Sequence, residues 1–191
     1  RVDVALFYTR VNDEIVTGVE QATTERSTYA NAGKSTRRGM ELAVEQQLPY
    51  DLNAYMAYTY LDARFDQYTD GNGDDFSGNY LPGVPRHSVY AEVAWAPAGG
   101  FSTALEAQSL SKRYATDDNQ ATAPGYAAFN WRMGYRHAVG NWALEPFARV
   151  DNLTDKEYIG SLIVNGPGSR YYEPAPERNW LVGVGLQYQW R

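Results

Sequence analysis

Apolar residues recur at every second position through most of the chain, and no stretch shows the three-to-four spacing of an amphipathic helix. Met40, Leu42 and Val44 alternate with Glu41, Ala43 and Glu45. Ala54, Met56 and Tyr58 alternate with Tyr55, Ala57 and Thr59. Further on, Ala127, Phe129, Trp131, Met133 and Tyr135 oppose Ala128, Asn130, Arg132, Gly134 and Arg136. Trp142, Leu144, Pro146, Ala148 and Val150 oppose Glu145, Phe147, Arg149 and Asp151. Trp180, Val182, Val184, Leu186, Tyr188 and Trp190 oppose Gly183, Gly185, Gln187 and Gln189. A period of two means strands with one apolar and one polar face. It predicts eight strands, at about 2–16, 28–48, 52–65, 86–96, 101–113, 126–137, 142–152 and 179–190.

The connections alternate in length. Segments 49–51 (PYD), 97–100 (PAGG) and 138–141 (AVGN) are tight turns built from Pro, Gly, Asn and Asp. Segments 17–27, 66–85, 114–125 and 153–178 are long and polar. Loops this long are usually functional or disordered. An all-β chain with one trimmed end and one elaborated end follows the plan of a transmembrane β-barrel, with short periplasmic turns and long outer loops. The apolar faces, bounded by aromatics, then have lipid as their solvent. The opposite faces carry Glu92, Glu106, Arg132, Arg136, Glu145 and Arg149, too charged for a dry interior. They suit a wet lumen wall, pairing across strands or touching a plug. A soluble antiparallel sandwich is the competing architecture, but its core would not oppose faces this charged.

Composition narrows the picture. The 191 residues carry a formal net charge of −6, which argues against a nucleic-acid partner, since that needs a basic face. There is no cysteine, hence no disulfide framework and no thiolate metal site. No run of about 18 apolar residues is present for a transmembrane helix. The opening RVDVALFYTR already reads as a strand rather than a signal peptide, which suggests a piece of something longer. Sixteen Tyr and five Trp suit surfaces with one wet and one apolar side.

Five stretches in order resemble one family, the TonB-dependent outer-membrane receptors. YANAGKSTRRGMELAVEQQL (29–48) is similar to a strand descending through Asn-Ala-Gly and Arg-Gly-x-Glu, and YMAYTYLDARF (55–65) to the next rising strand. LPGVPRHSVYAEVAW (81–95) resembles the family's Pro-x-x-Pro-Arg-His lead into the following strand. FARVDNLTDKEYIGS (147–161) resembles its penultimate strand, and RYYEPAPERNWLVGVGLQYQW (170–190) its last. The resemblance implies that residues 1–191 are the C-terminal portion of a large barrel of about 22 strands. It further implies transport of a ferric siderophore or similar scarce chelate across the outer membrane. The partners would be outer-membrane lipid and TonB, the latter through a plug domain absent from this sequence. The family usually closes on an aromatic residue; here Trp190 is followed by Arg191. A freestanding eight-stranded barrel with a structural or adhesive role is the alternative.

The last strand of the family ends on the periplasmic side. Tracing back puts all three short turns there and all four long loops outside. Ligand contacts are then expected from aromatic and cationic loop residues: Tyr68, Tyr80, Tyr114, Arg170, Tyr171 and Tyr172. No cofactor and no metal site is expected. DGNGDD (70–75) resembles the start of a calcium loop, but Leu81 stands where the twelfth-position Glu belongs, so it reads as an acidic turn. His87 and His137, the only histidines, have no convergent ligands in sequence. There is no Gly-x-Ser-x-Gly elbow, and an enzyme is not expected.

Overall fold

The structure, a computed structural model, describes residues 1–17 and 29–190. Among the described residues thirteen strands are formed: β1 (Val2–Thr17), β2 (Tyr29–Leu48), β3 (Leu52–Gln67), β4 (His87–Trp95), β5 (Phe101–Leu110), β6 (Arg113–Tyr114), β7 (Thr122–Ala123), β8 (Tyr126–Tyr135), β9 (His137–Val139), β10 (Trp142–Asp151), β11 (Ile159–Leu162), β12 (Tyr172–Pro174) and β13 (Asn179–Tyr188). The described residues contain no helix beyond a 3₁₀ turn at Pro167–Ser169. The main sheet is antiparallel and runs β1-β2-β3-β4-β5-β8-β10-β13, with β9 beside β10. β8 and β9 continue one register across Arg136: Gly134 faces Phe147, and His137 faces Leu144. The sheet is therefore eight long strands, as the period of two predicts.

The ends differ from expectation in two places. β5 stops at Leu110 rather than 113, because the chain leaves the sheet for the small β6–β7 hairpin. The loop at 153–178 is not irregular throughout, since it contains the β11–β12 hairpin. The segment expected as the loop 17–27 lies, apart from Thr17, outside the described residues. The tight turns require left-handed backbone, with Tyr50 and Asp51 at φ 66 and 61 and Gly140 at φ 59. Gly140-Asn141 is a two-residue hairpin loop of the kind that matches strand twist.

Register aligns the two faces across the whole sheet. Val93, Leu105, Trp131, Val150 and Trp180 form one transverse row. Val182 faces Ala148, which faces Met133. Nothing among the described residues covers this apolar face, and Val182 and Val184 are exposed. A globular domain would bury such a face. Among the described residues the one apolar cluster that does exclude water lies at the long-loop end, where Phe65 (1% exposed) packs with Ala63, Tyr68 and Leu81 under the 66–85 loop. β1 and β13 are the two edges and do not pair with each other. Eight strands thus do not close on themselves, which corrects the freestanding small barrel.

Candidate functional site

The polar face of β4, β5, β8 and β10 carries an ion-pair lattice. Glu92 stands directly opposite Glu106, and Arg132 directly opposite Arg149. Like charges in facing positions repel. Here the sheet resolves them by diagonal pairing. Arg132 donates to Glu92 and to Glu106, each at 3.0 Å, and Arg149 donates to Glu106 at 2.8 Å and to Asp151 at 2.7 Å. Two rows nearer the short turns, beyond Gly134 and Phe147, Arg136 pairs with Glu145. All six residues singled out for this wall are thus engaged in it, and Tyr90 adds a hydrogen bond to Glu92 at 3.1 Å. A dry interior would penalise this many charges; a wetted wall tolerates them.

At the other end, three loops join into one body. In the 66–85 loop, the Asp70 carboxylate accepts the backbone N–H groups of Asn72 and Asp74, both at 2.9 Å. The acidic run is thus a turn that caps itself. The Asn119 side chain brackets Tyr80, accepting its N–H at 2.8 Å and donating to its carbonyl at 2.9 Å. Asn79 donates to the Asp117 carbonyl at 2.9 Å. Asn165 donates to the Asp117 carboxylate at 2.8 Å and, through its backbone, to the Ala115 carbonyl at 2.9 Å. Arg113 reaches across to the Ile159 carbonyl at 2.7 Å.

The six loop residues expected to contact ligand fall in three settings. Tyr68 (5% exposed) is inside the loop cluster against Phe65 and Phe76, so it supports the loops rather than presenting a surface. Tyr80 and Tyr114 stack at 5.5 Å, with the Arg64 guanidinium 3.9 Å from the Tyr80 ring. Tyr80 bridges Arg64 in register, on the face that continues Tyr58 and Tyr60 rather than the polar wall. Arg170, Tyr171 and Tyr172 follow the 3₁₀ turn; Arg170 is exposed and Tyr172 donates to the Thr122 carbonyl at 3.1 Å. Sequence reasoning missed the Tyr126–Tyr158 stack at 4.0 Å and the Asn and Asp residues that join the loops. The pair is 32 positions apart, and nothing in alternation links them.

Asp117 is the titratable centre of this cluster. Burial raises its carboxyl above the usual carboxylate range, against the lowering pull of Asn165 and Tyr68. Tyr68 is raised too, first by burial and then by the Asp117 charge. A carboxyl with a raised folded pKa binds protons more tightly folded than unfolded. Its stabilising contribution is full below the unfolded value and is lost as pH rises through the folded one. Acidification through the carboxylate range is therefore expected to protect the 114–125 loop from protease, and Asp117→Asn to flatten that dependence. An unchanged pH profile in the variant would contradict this.

A one-sided antiparallel wall with loops at one end defines the class: part of a large β-barrel. The family model described as "TonB dependent receptor-like, beta-barrel" matches residues 1–153. The chain belongs to this family of outer-membrane β-barrel receptors. A curated relative, the probable TonB-dependent siderophore receptor PiuA of Acinetobacter baumannii, is 24% identical over 169 residues, covering 85% of this chain and 22% of its own. Among solved structures, the ferric citrate transporter FecA superposes with a TM-score of 0.77 at 19% identity, over 97% of this chain and 28% of its own. The ferric preacinetobactin receptor BauA of A. baumannii gives 0.73 at 19% identity, over 96% and 26%. The chain spans about a quarter of the length of the relatives it matches.

Proposed function

We propose that this chain forms the last eight strands and outer loops of an outer-membrane receptor that imports a ferric siderophore or similar scarce metal chelate, energised through TonB. The observation that carries the reading is the two-faced wall itself. A bare apolar face backs an ion-paired face, and only one end bears large loops. In this reading lipid covers the apolar face. The face of Glu92, Glu106, Arg132, Arg136, Glu145 and Arg149 lines the lumen, opposite a plug domain through which TonB acts. The three short turns are periplasmic, and the joined loops meet the ligand from outside.

Arg170, Tyr171 and Tyr172 are the contacts assigned to an anionic chelate, since guanidinium and phenol groups bind such charge by charge-assisted bonds and stacking; the stacked Tyr80 and Tyr114 lie to the outward side and Tyr68 is buried in the loop cluster. The similarly folded structures named above include the receptor for ferric preacinetobactin and the ferric citrate transporter, and they support this cargo class.

The test is uptake by cells carrying the full-length protein, against ferric chelates, cobalamin and haem. A chelate is expected to enter only when TonB is present. Shortening the 66–85 loop should reduce its uptake at least tenfold, while the barrel keeps the heat-sensitive gel mobility of a folded protein. Uptake of no member of the panel, or uptake indifferent to TonB, would overturn the proposal.

A further inference from the structure

The arginines of the polar wall each hold a carboxylate, as does Arg37, 2.8 Å from Glu14. Those on the opposite face do not balance. At the long-loop end of β1–β3 the apolar face gives way to Arg10, Arg38 and Arg64, which register places on the same side as Leu6, Met40 and Met56. Arg86 joins them, 5.8 Å from the Tyr60 ring and 5.1 Å from the Tyr80 ring. Lys112 lies 4.6 Å from the ring of Tyr114, which stacks on Tyr80.

The carboxylates facing these cations are two. Asp62 is buried between Arg38 and Arg64, each 2.9 Å away, and Asp66 accepts the Thr36 hydroxyl at 2.6 Å. Arg10 donates only to the Tyr8 hydroxyl and Arg86 only to that of Tyr60 among the described residues. Lys112 likewise has no carboxylate partner there. A chain of net charge −6 thus gathers five cations against two acids on one patch of its apolar side.

Height gives the patch its meaning. From Leu52 to Asp62 the chain advances ten residues at about 3.3 Å each, and a strand tilted about 40° converts that to roughly 25 Å, the height of the apolar band of a barrel. Tyr8, Tyr58 and Tyr60 stand at its edge, as interfacial aromatics do. The cations begin where the hydrocarbon ends. Clusters of this kind at a membrane surface attract anionic headgroups.

We infer that Arg10, Arg38, Arg64, Arg86 and Lys112 form a binding site for the phosphate groups of an outer-leaflet lipid, whose acyl chains lie along the apolar face below. The inference rests on the membrane-spanning reading above, but not on any transported cargo. Phosphate suits the site chemically, since guanidinium forks bind it bidentately, and Arg86 and Lys112 have donors to spare. Tyr80 and Tyr114 then serve as the rigid platform that spaces Arg64 and Arg86 from Lys112, which accounts for their stacking on the face away from the polar wall.

The experiment uses the full-length protein in phosphatidylcholine nanodiscs doped with bis-phosphorylated lipid A, with dephosphorylated lipid A, or with inorganic phosphate alone. Native mass spectrometry counts retained lipid, and titration gives its affinity. The phosphorylated lipid is expected to bind. Each lost cation at an anionic surface weakens binding about fivefold, so the triple variant Arg10→Gln, Arg86→Gln, Lys112→Gln should lose on the order of 100-fold. Arg10→Lys with Arg86→Lys should stay within a few-fold, showing that a folded, charged patch suffices. Lys156→Gln, an exposed loop cation outside the patch, should leave lipid binding unchanged. Equal binding of dephosphorylated lipid, or an unchanged triple variant, would overturn the site. Competition by millimolar inorganic phosphate would also overturn it, by making it a free-anion site. No chelate or TonB enters the assay, so a failure of uptake leaves this result standing, and the reverse holds too.

Discussion

Val184→Lys is expected to lower barrel stability in lipid by about 2–4 kcal/mol, the cost of an ammonium group near the bilayer midplane. Val184 is mid-strand in β13, faces Pro146 in register, and is 64% exposed with nothing of the chain over it. In water such a residue would tolerate lysine freely, within about 0.5 kcal/mol. Gln187→Lys, three positions on and on the polar face, supplies the control and should change little. The measurement is urea-dependent unfolding in lipid vesicles, read by gel mobility. Equal, small effects from the two substitutions would mean that the apolar face meets water or protein instead of lipid.

Glu106→Gln carries the second large effect. Glu106 is 7% exposed and is the one residue that binds both Arg132 and Arg149. Removing its charge leaves two arginines in directly facing positions with no shared counterion. Breaking a buried pair costs about 3–5 kcal/mol when the survivor has no water. Arg132 keeps Glu92, Arg149 keeps Asp151, and both guanidinium groups remain partly solvated. The expected loss is therefore about 2 kcal/mol, measured by the same unfolding assay. Glu106→Gln combined with Arg149→Met should recover part of it, because the repulsion goes with the arginine. A harmless single variant would show that the lattice does not support the wall.

What alternation made readable was the strand content, the division into two faces and the short-turn end. Each strand reports its own faces locally, since a slip of one residue would move every side chain to the wrong side. The wall lattice was readable for the same reason: the charges interrupt an otherwise apolar alternation, and adjacent strands must pair. The loops were not. Asn79, Asp117, Asn119 and Asn165 join three segments through hydrogen bonds spanning 38 to 48 positions. No local signal reports such pairing. Tyr68 and Tyr80 have the same residue type in the same loop, yet one is in the loop core and the other stacks on Tyr114. The turn of the 66–85 loop back onto β3 decides between them, through the bridge of Arg64 with Tyr80. That bridge also moved Tyr80 to the outward side, where no periodicity within a loop would have put it.

The orientation of the wall in the membrane is the claim on which the functional reading depends. These 191 residues contain no cysteine, so a cysteine placed among them, in full-length protein from which any cysteine elsewhere has been removed, reports from one position. Asn72, at the exposed tip of the 66–85 loop, and Ala98, exposed in the turn between β4 and β5, lie at opposite ends of the sheet. With a membrane-impermeant maleimide on intact cells, Asn72→Cys should label at once, and Ala98→Cys only after the outer membrane is opened. Labelling of Ala98→Cys on intact cells, with Asn72→Cys silent until the membrane is opened, would contradict the account.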